Sequence, residues 1–156
     1  MVTKQKQGSA ARVGRVETTA GAMAVYEYGH DGVPLVLLHA NAHDHADYQP
    51  VIPALAEKYR VIAIDAPGHG ASAWAFDPAE ITAVKIADVQ AEVVARLGLK
   101  RPAFIGNSIG GFTALRYALK NPGDRQTAFT YFPAQPFRKN YLRICIHLCW
   151  KQKAAP

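Results

Sequence analysis

The chain of 156 residues has two cysteines, two methionines and two tryptophans, and no apolar run longer than ten residues. Two cysteines four apart, Cys145 and Cys149, cannot make a disulfide scaffold, and no four-ligand metal spacing is present. Interrupted apolar stretches leave no candidate membrane-spanning helix. The first sixteen residues hold no acid, but Lys4, Lys6, Arg12 and Arg15 are not followed by the apolar core of a secretory signal. A solvated N-terminus and a cytoplasmic location are therefore expected.

What is present suits a folded domain. Apolar types make up 49% and charged types 19%, and a single domain of this length buries about two-thirds of its unfolded surface. The formal net charge of +6 is unevenly spread: residues 1–120 balance to +1, whereas residues 121–156 carry +5. Six basic residues of that terminal segment (Arg125, Arg138, Lys139, Arg143, Lys151, Lys153) face one acid, Asp124. Tyr131, Phe132, Phe137, Tyr141 and Trp150 interleave with them, as in stacking surfaces for nucleic acid. No recognisable module surrounds them, and no nucleic-acid partner is expected.

Elements alternate along the chain. Val13–Thr18 and Met23–Tyr28 read as short strands around a turn at Ala20-Gly21. Pro34–His39, Tyr59–Asp65 and Pro102–Gly106 are apolar runs of the kind covered on both faces in a parallel sheet. Tyr48–Lys58, Ile81–Leu97 and Gly110–Lys120 have helical spacing, with Gly98 as a C-terminal cap. This predicts an α/β fold: a mostly parallel, doubly wound sheet with helices on both faces. Beyond Gly123 the rhythm is lost. Thr127–Phe132 reads as one further strand, and Tyr141–Trp150 is apolar without a period. The division expected is a flexible 1–11, a core at 12–122 and a divergent basic tail at 123–156.

Three segments carry chemistry. Phe104-Ile-Gly106-Asn107-Ser108-Ile109-Gly110-Gly111 is G-x-S-x-G between a predicted strand and a predicted helix. Glycines two residues either side of the serine permit a turn so tight that a Cβ there would strike neighbouring backbone. Such a turn lifts Ser108 Oγ from the sheet and leaves the Ile109 amide at a helix N-terminus, suited to a developing oxyanion. The second segment is Leu37-Leu38-His39-Ala40-Asn41, where the Asn41 backbone N–H is the candidate second oxyanion donor and His39 shapes the loop. The nearby His43, Asp44, His45 and Asp47 read as loop polarity, with no metal expected. The third is Asp65-Ala-Pro67-Gly68-His69-Gly70-Ala71-Ser72. Its glycines allow a tight loop where ligands of open α/β sheets bind; Asp65 and His69 have the look of an acid–base pair, but Asp65 is expected to hold that loop by hydrogen bonds.

These three motifs, in this order and spacing, resemble the α/β-hydrolase fold superfamily, over roughly residues 12–122. His39-Ala40-Asn41 is similar to its oxyanion loop, Asp65-x-Pro-Gly68-His-Gly70-x-Ser72 to its strand-four loop, and Gly106-x-Ser-x-Gly110 to its nucleophile elbow. The resemblance implies a serine-nucleophile hydrolase of esters or related acyl compounds, without a cofactor. Ser108 disfavours the branches that use an Asp nucleophile.

It further implies an acid and then a histidine after the serine, and only Asp124 and His147 offer these. The helix after Ser108 carries Asp124 about 20 Å away at about 1.5 Å per residue, and His147 lies in an apolar stretch. His39 and His69 are substitute bases out of family order. The chain thus resembles the N-terminal part of a hydrolase, in which weak or absent turnover is expected. The alternative is a non-catalytic remnant binding a ligand or a second chain. Without later strands, Pro102–Gly106 is expected near a bare sheet edge, where copies could associate unless the tail or a partner covers it.

Overall fold

A computed structural model describes residues 11–29 and 32–122, with two further strands, 127–131 and 145–149, as backbone. Seven strands form one sheet in the order β1-β2-β4-β3-β5-β6-β7. They are β1 Arg12–Thr18, β2 Gly21–Tyr28, β3 Val33–Leu38, β4 Tyr59–Ile64, β5 Ala103–Asn107, β6 Thr127–Tyr131 and β7 Cys145–Cys149. The pairs β4–β3, β3–β5 and β5–β6 are parallel, whereas β1–β2, β2–β4 and β6–β7 are antiparallel.

The apolar runs of the parallel strands divide by alternate residues. Leu35, Leu37, Val61 and Ala63 face one side and pack on Ile52 of helix α1, Ile52–Ala56. Val36, Leu38, Ile62 and Ile64 face the other, against Val89, Val93 and Val94 of α2 (Ala83–Arg96) and Ala114 and Tyr117 of α3 (Ile109–Lys120). Helices on both faces are what continuous apolar strands require.

Element ends follow local chemistry. Thr82 Oγ1 accepts from the Lys85 amide and caps α2, so Ile81 stays outside the helix. At the other end Gly98 takes φ +62°, the Gly98 amide reaches Ala95 O and the Leu99 amide reaches Val94 O, which is a Schellman closure. The helix expected over Tyr48–Lys58 is shorter than its pattern suggested. A 3-10 turn spans His45–Tyr48 and α1 begins only at Ile52, because Pro50 supplies no amide to a continuing helix. The β1–β2 hairpin is tied to α2 by Glu92, whose carboxylate accepts from both the amide and the hydroxyl of Thr19.

Of the two expectations for the edge at β5, bare or covered by the tail, the second holds. β6 pairs with β5 in parallel, Phe104 opposite Ala128 and Asn107 opposite Tyr131, and β7 lies outside β6. Both covering strands come from the segment read as a basic tail, so the margin of the described sheet on that side is β7. The apolar stretch without a period, Tyr141–Trp150, contains that strand.

Candidate active site

The register sets Leu38 of β3 level with Ile64 of β4 and with Gly106 of β5. The three segments after these strands therefore leave the same end of the sheet side by side.

At the end of β5 the chain turns directly into α3 through Ser108, at φ 52° and ψ −112°. This conformation is unfavourable for a residue with a Cβ and persists only where surrounding packing imposes it. The packing is explicit. A Cβ on Gly106 would lie 2.3 Å from Gly110 O, and one on Gly110 would lie 2.1 Å from Leu38 O. Both glycines are required because the start of α3 rests directly on the backbone of β3 and β5. Ser108 O accepts from the Phe112 amide at 3.1 Å, so the helix begins at once, and Ile109 contributes one of its unpaired first-turn amides.

After β3, His39 is buried and spans two loops. Its Nε2 accepts from the Ala66 amide at 2.8 Å, and its Nδ1 lies 2.7 Å from Ala40 O. Those partners fix the Nδ1–H tautomer and leave neither nitrogen for proton transfer at Ser108. Burial pushes the imidazole below its ordinary value of 6.5, against the opposing pull of the Ala40 carbonyl. Beyond it Ala42 adopts φ +63° in a turn closed by the His43 amide on Ala40 O. The Asn41 amide has no acceptor among the described residues, and the Asn41 side-chain Oδ1 lies 3.1 Å from His69 Nε2.

The loop after β4 is organised by Asp65, which is wholly buried. Its Oδ1 accepts from the His45 amide at 2.8 Å and lies 3.0 Å from His45 Nδ1. Its Oδ2 accepts from the Ala71 amide at 2.9 Å and the Tyr26 hydroxyl at 3.2 Å. Burial alone would raise this carboxyl, but the amides of Ala71 and His45 and the His45 ring outweigh it and hold it below the ordinary carboxylate value. Gly70 is glycine because a Cβ there would meet Asp65 Oδ2 at 2.2 Å. Ser72 completes the knot: its hydroxyl donates to Asp65 O and accepts from the Ala24 amide of β2.

An Asp65–His69 acid–base pair does not form. Asp65 engages His45, and His69 Nδ1 lies 2.9 Å from Pro67 O. His45, stacked on Tyr26 with ring centroids 3.4 Å apart, belongs to this site although the sequence marked it only as loop polarity. Among the described residues, no three His, Cys, Asp or Glu side chains converge in a metal-binding cluster. None of the described helices is long and apolar enough to cross a membrane.

The family model for the alpha/beta hydrolase fold matches residues 33–126, which contain all three loops. The chain belongs to the α/β-hydrolase family. It is similar to an esterase of Mycobacterium tuberculosis, 31% identical over 115 residues that make up 74% of this chain and 37% of the esterase. It is also similar to a soluble epoxide hydrolase of a Corynebacterium species, 37% identical over 99 residues, 62% of this chain and 33% of that enzyme. Among solved structures, an N-acyl homoserine lactonase mutant complexed with N-hexanoyl homoserine superposes with a TM-score of 0.72 at 31% identity. The match covers 80% of this chain and 46% of the lactonase. The chain thus spans about a third of the length of these curated relatives.

Of the residues expected to complete the α/β-hydrolase site, Asp124 lies outside the described residues. His147 lies in β7 opposite Phe129, which is itself level with Ile105 of β5. Its backbone is thus two strand spacings, about 10 Å, from β5, and about 10 Å down the sheet from the Ser108 turn. The fold brings together the segments holding Ser108, Ile109, Asn41, His39 and Asp65 at one sheet end, and leaves His147 in mid-strand.

Two measurements check this geometry. Gly110→Ala places a methyl on the Leu38 carbonyl and is expected to destabilise the fold by about 3 kcal/mol or more. Gly14→Ala, where a Cβ meets nothing within 4 Å, is expected to be near neutral; urea unfolding of both variants decides. Because His39 titrates lower in the folded chain than its ordinary 6.5, the unfolded chain binds that proton first. Stability is therefore expected to fall as pH drops below about 6.5, and His39→Gln to flatten that part of the unfolding-versus-pH curve.

Proposed function

We propose that the chain presents the nucleophile and oxyanion parts of a serine hydrolase site for an ester or related acyl substrate of small size. Ser108 is the nucleophile, and the backbone amides of Asn41 and Ile109 receive the oxyanion that forms when Ser108 Oγ adds to the acyl carbon. The observation that carries this reading is the strained Ser108 backbone between two glycines that admit no side chain. A plain strand-to-helix turn has no need of either. The serine at this position also supports acyl chemistry for this chain over the chemistry named in its epoxide-hydrolase relative.

The proton of Ser108 needs an acceptor, and the positions implied by family order are Asp124 and His147. With His147 in mid-strand and both His39 nitrogens committed, turnover by this chain is expected to be weak. Stoichiometric capture of strongly activated acyl or phosphonyl donors is the activity to look for. A fluorophosphonate probe is expected to label Ser108 slowly, and Ser108→Ala to abolish labelling. A folded chain that takes up no probe would sink the reading.

The second reading is self-association without catalysis, and the position of β7 at the margin of the described sheet supports it. A second copy would then pair along Cys145–Cys149. Sedimentation at increasing concentration is expected to reveal a dimer in that case, and a monomer throughout disposes of it.

A further inference from the structure

One half-buried polar group beneath this site has so far no role. Tyr48 ends the 3-10 turn that follows the oxyanion loop, and its ring packs with α1 against Leu35, Leu37, Val61 and Ala63. Its hydroxyl reaches past this apolar layer to the backbone at the end of the sheet. The Tyr48 hydroxyl donates to Leu38 O at 2.8 Å. Ile105 O, at 3.5 Å, is too distant to compete for the single hydroxyl proton.

Leu38 immediately precedes the oxyanion loop, and its carbonyl is the acceptor. The same Leu38 carbonyl is the atom on which Gly110 rests. Three elements therefore meet at one carbonyl oxygen: β3 supplies it, α3 abuts it, and Tyr48 hydrogen-bonds it. Burial drives the phenol well above the ordinary tyrosine range, reinforced by the nearby Asp47 and opposed by the Asn107 amide. The hydroxyl therefore keeps its proton for Leu38 at any working pH.

We infer that Tyr48 is a positioning residue that fixes the separation between the oxyanion loop and the Ser108 elbow; this rests on the reading of Ser108 and Asn41 given above. A phenylalanine would fill the same apolar space, yet leave the Leu38 carbonyl without its hydroxyl donor. The elbow and the loop would then be spaced by packing alone. Reaction at Ser108 needs its oxygen and both oxyanion amides to converge within a fraction of an ångström, so the penalty falls on bond formation and not on binding.

The test compares wild type, Tyr48→Phe and Ile52→Val, the last trimming the same apolar layer without touching either segment. With the fluorophosphonate probe, Tyr48→Phe is expected to lower the bond-forming rate constant about 10- to 100-fold while the saturation constant holds. Ile52→Val is expected to match wild type in both. In 15N-labelled protein, Tyr48→Phe is expected to shift the Asn41 and Ile109 amide resonances, and Ile52→Val to leave them in place. Unmoved Asn41 and Ile109 amides in folded Tyr48→Phe overturn the inference, as do equal rates where the wild type is labelled. An unlabelled wild type counts against the Ser108 reading alone, and the amide shifts then decide for Tyr48.

Discussion

The carbonyl oxygen of Leu38 is the point on which the site depends. A helix cannot come this close to a strand if a side chain stands between them, and at Gly110 none does. Because α3 starts in direct backbone contact with β3, the turn from β5 has no length to spare, and the strain falls on Ser108. The unusual dihedrals of the serine are thus a consequence of sheet–helix spacing, and the same spacing brings the first amides of α3 beside the loop after β3. Fold and candidate chemistry share one cause.

A second layer of order comes from buried polar groups that join loops to one another. His39 links the segment after β3 to Ala66 after β4, and Asp65 gathers donors from His45, Ala71 and Tyr26. In a low-dielectric interior such groups are costly unless satisfied, and stabilising when they are. The contacts of His39 with Ala66 and of Asp65 with His45 and Tyr26 join segments far apart in sequence, while that with Ala71 closes the loop of Asp65 on itself. The result is a rigid rim at the carboxyl end of the sheet, made of loops that carry little regular structure.

The sequence made the periodic and the short-range features legible. Apolar runs located β3, β4 and β5, helical spacing located α2 and α3, and the glycine pattern located the elbow, because each reflects constraints among near neighbours. The role of Asp65 in holding its loop was also readable, since Gly70 and Ser72 lie within seven residues. The roles of His45 and Tyr48 escaped notice because their partners, Asp65 and the Leu38 carbonyl, are selected by strand order and leave no period in the chain. The strand that covers β5 was legible as Thr127–Phe132, but its pairing with β5 was not. β7 lies in a stretch without a clean period, and only its pairing with β6 defines it.

The strand order also sets a schedule for assembly. Leu35 in the central strand β3 pairs with Val61 on one side and with Ala103 on the other. Both partners follow it in the chain, the second only after the whole of α2 has been made. During synthesis the most apolar strand of the sheet therefore waits with an open edge, and pairings of such long range form slowly. That interval leaves an unpaired apolar edge exposed until β5 arrives, the condition under which a nascent chain is most prone to aggregate.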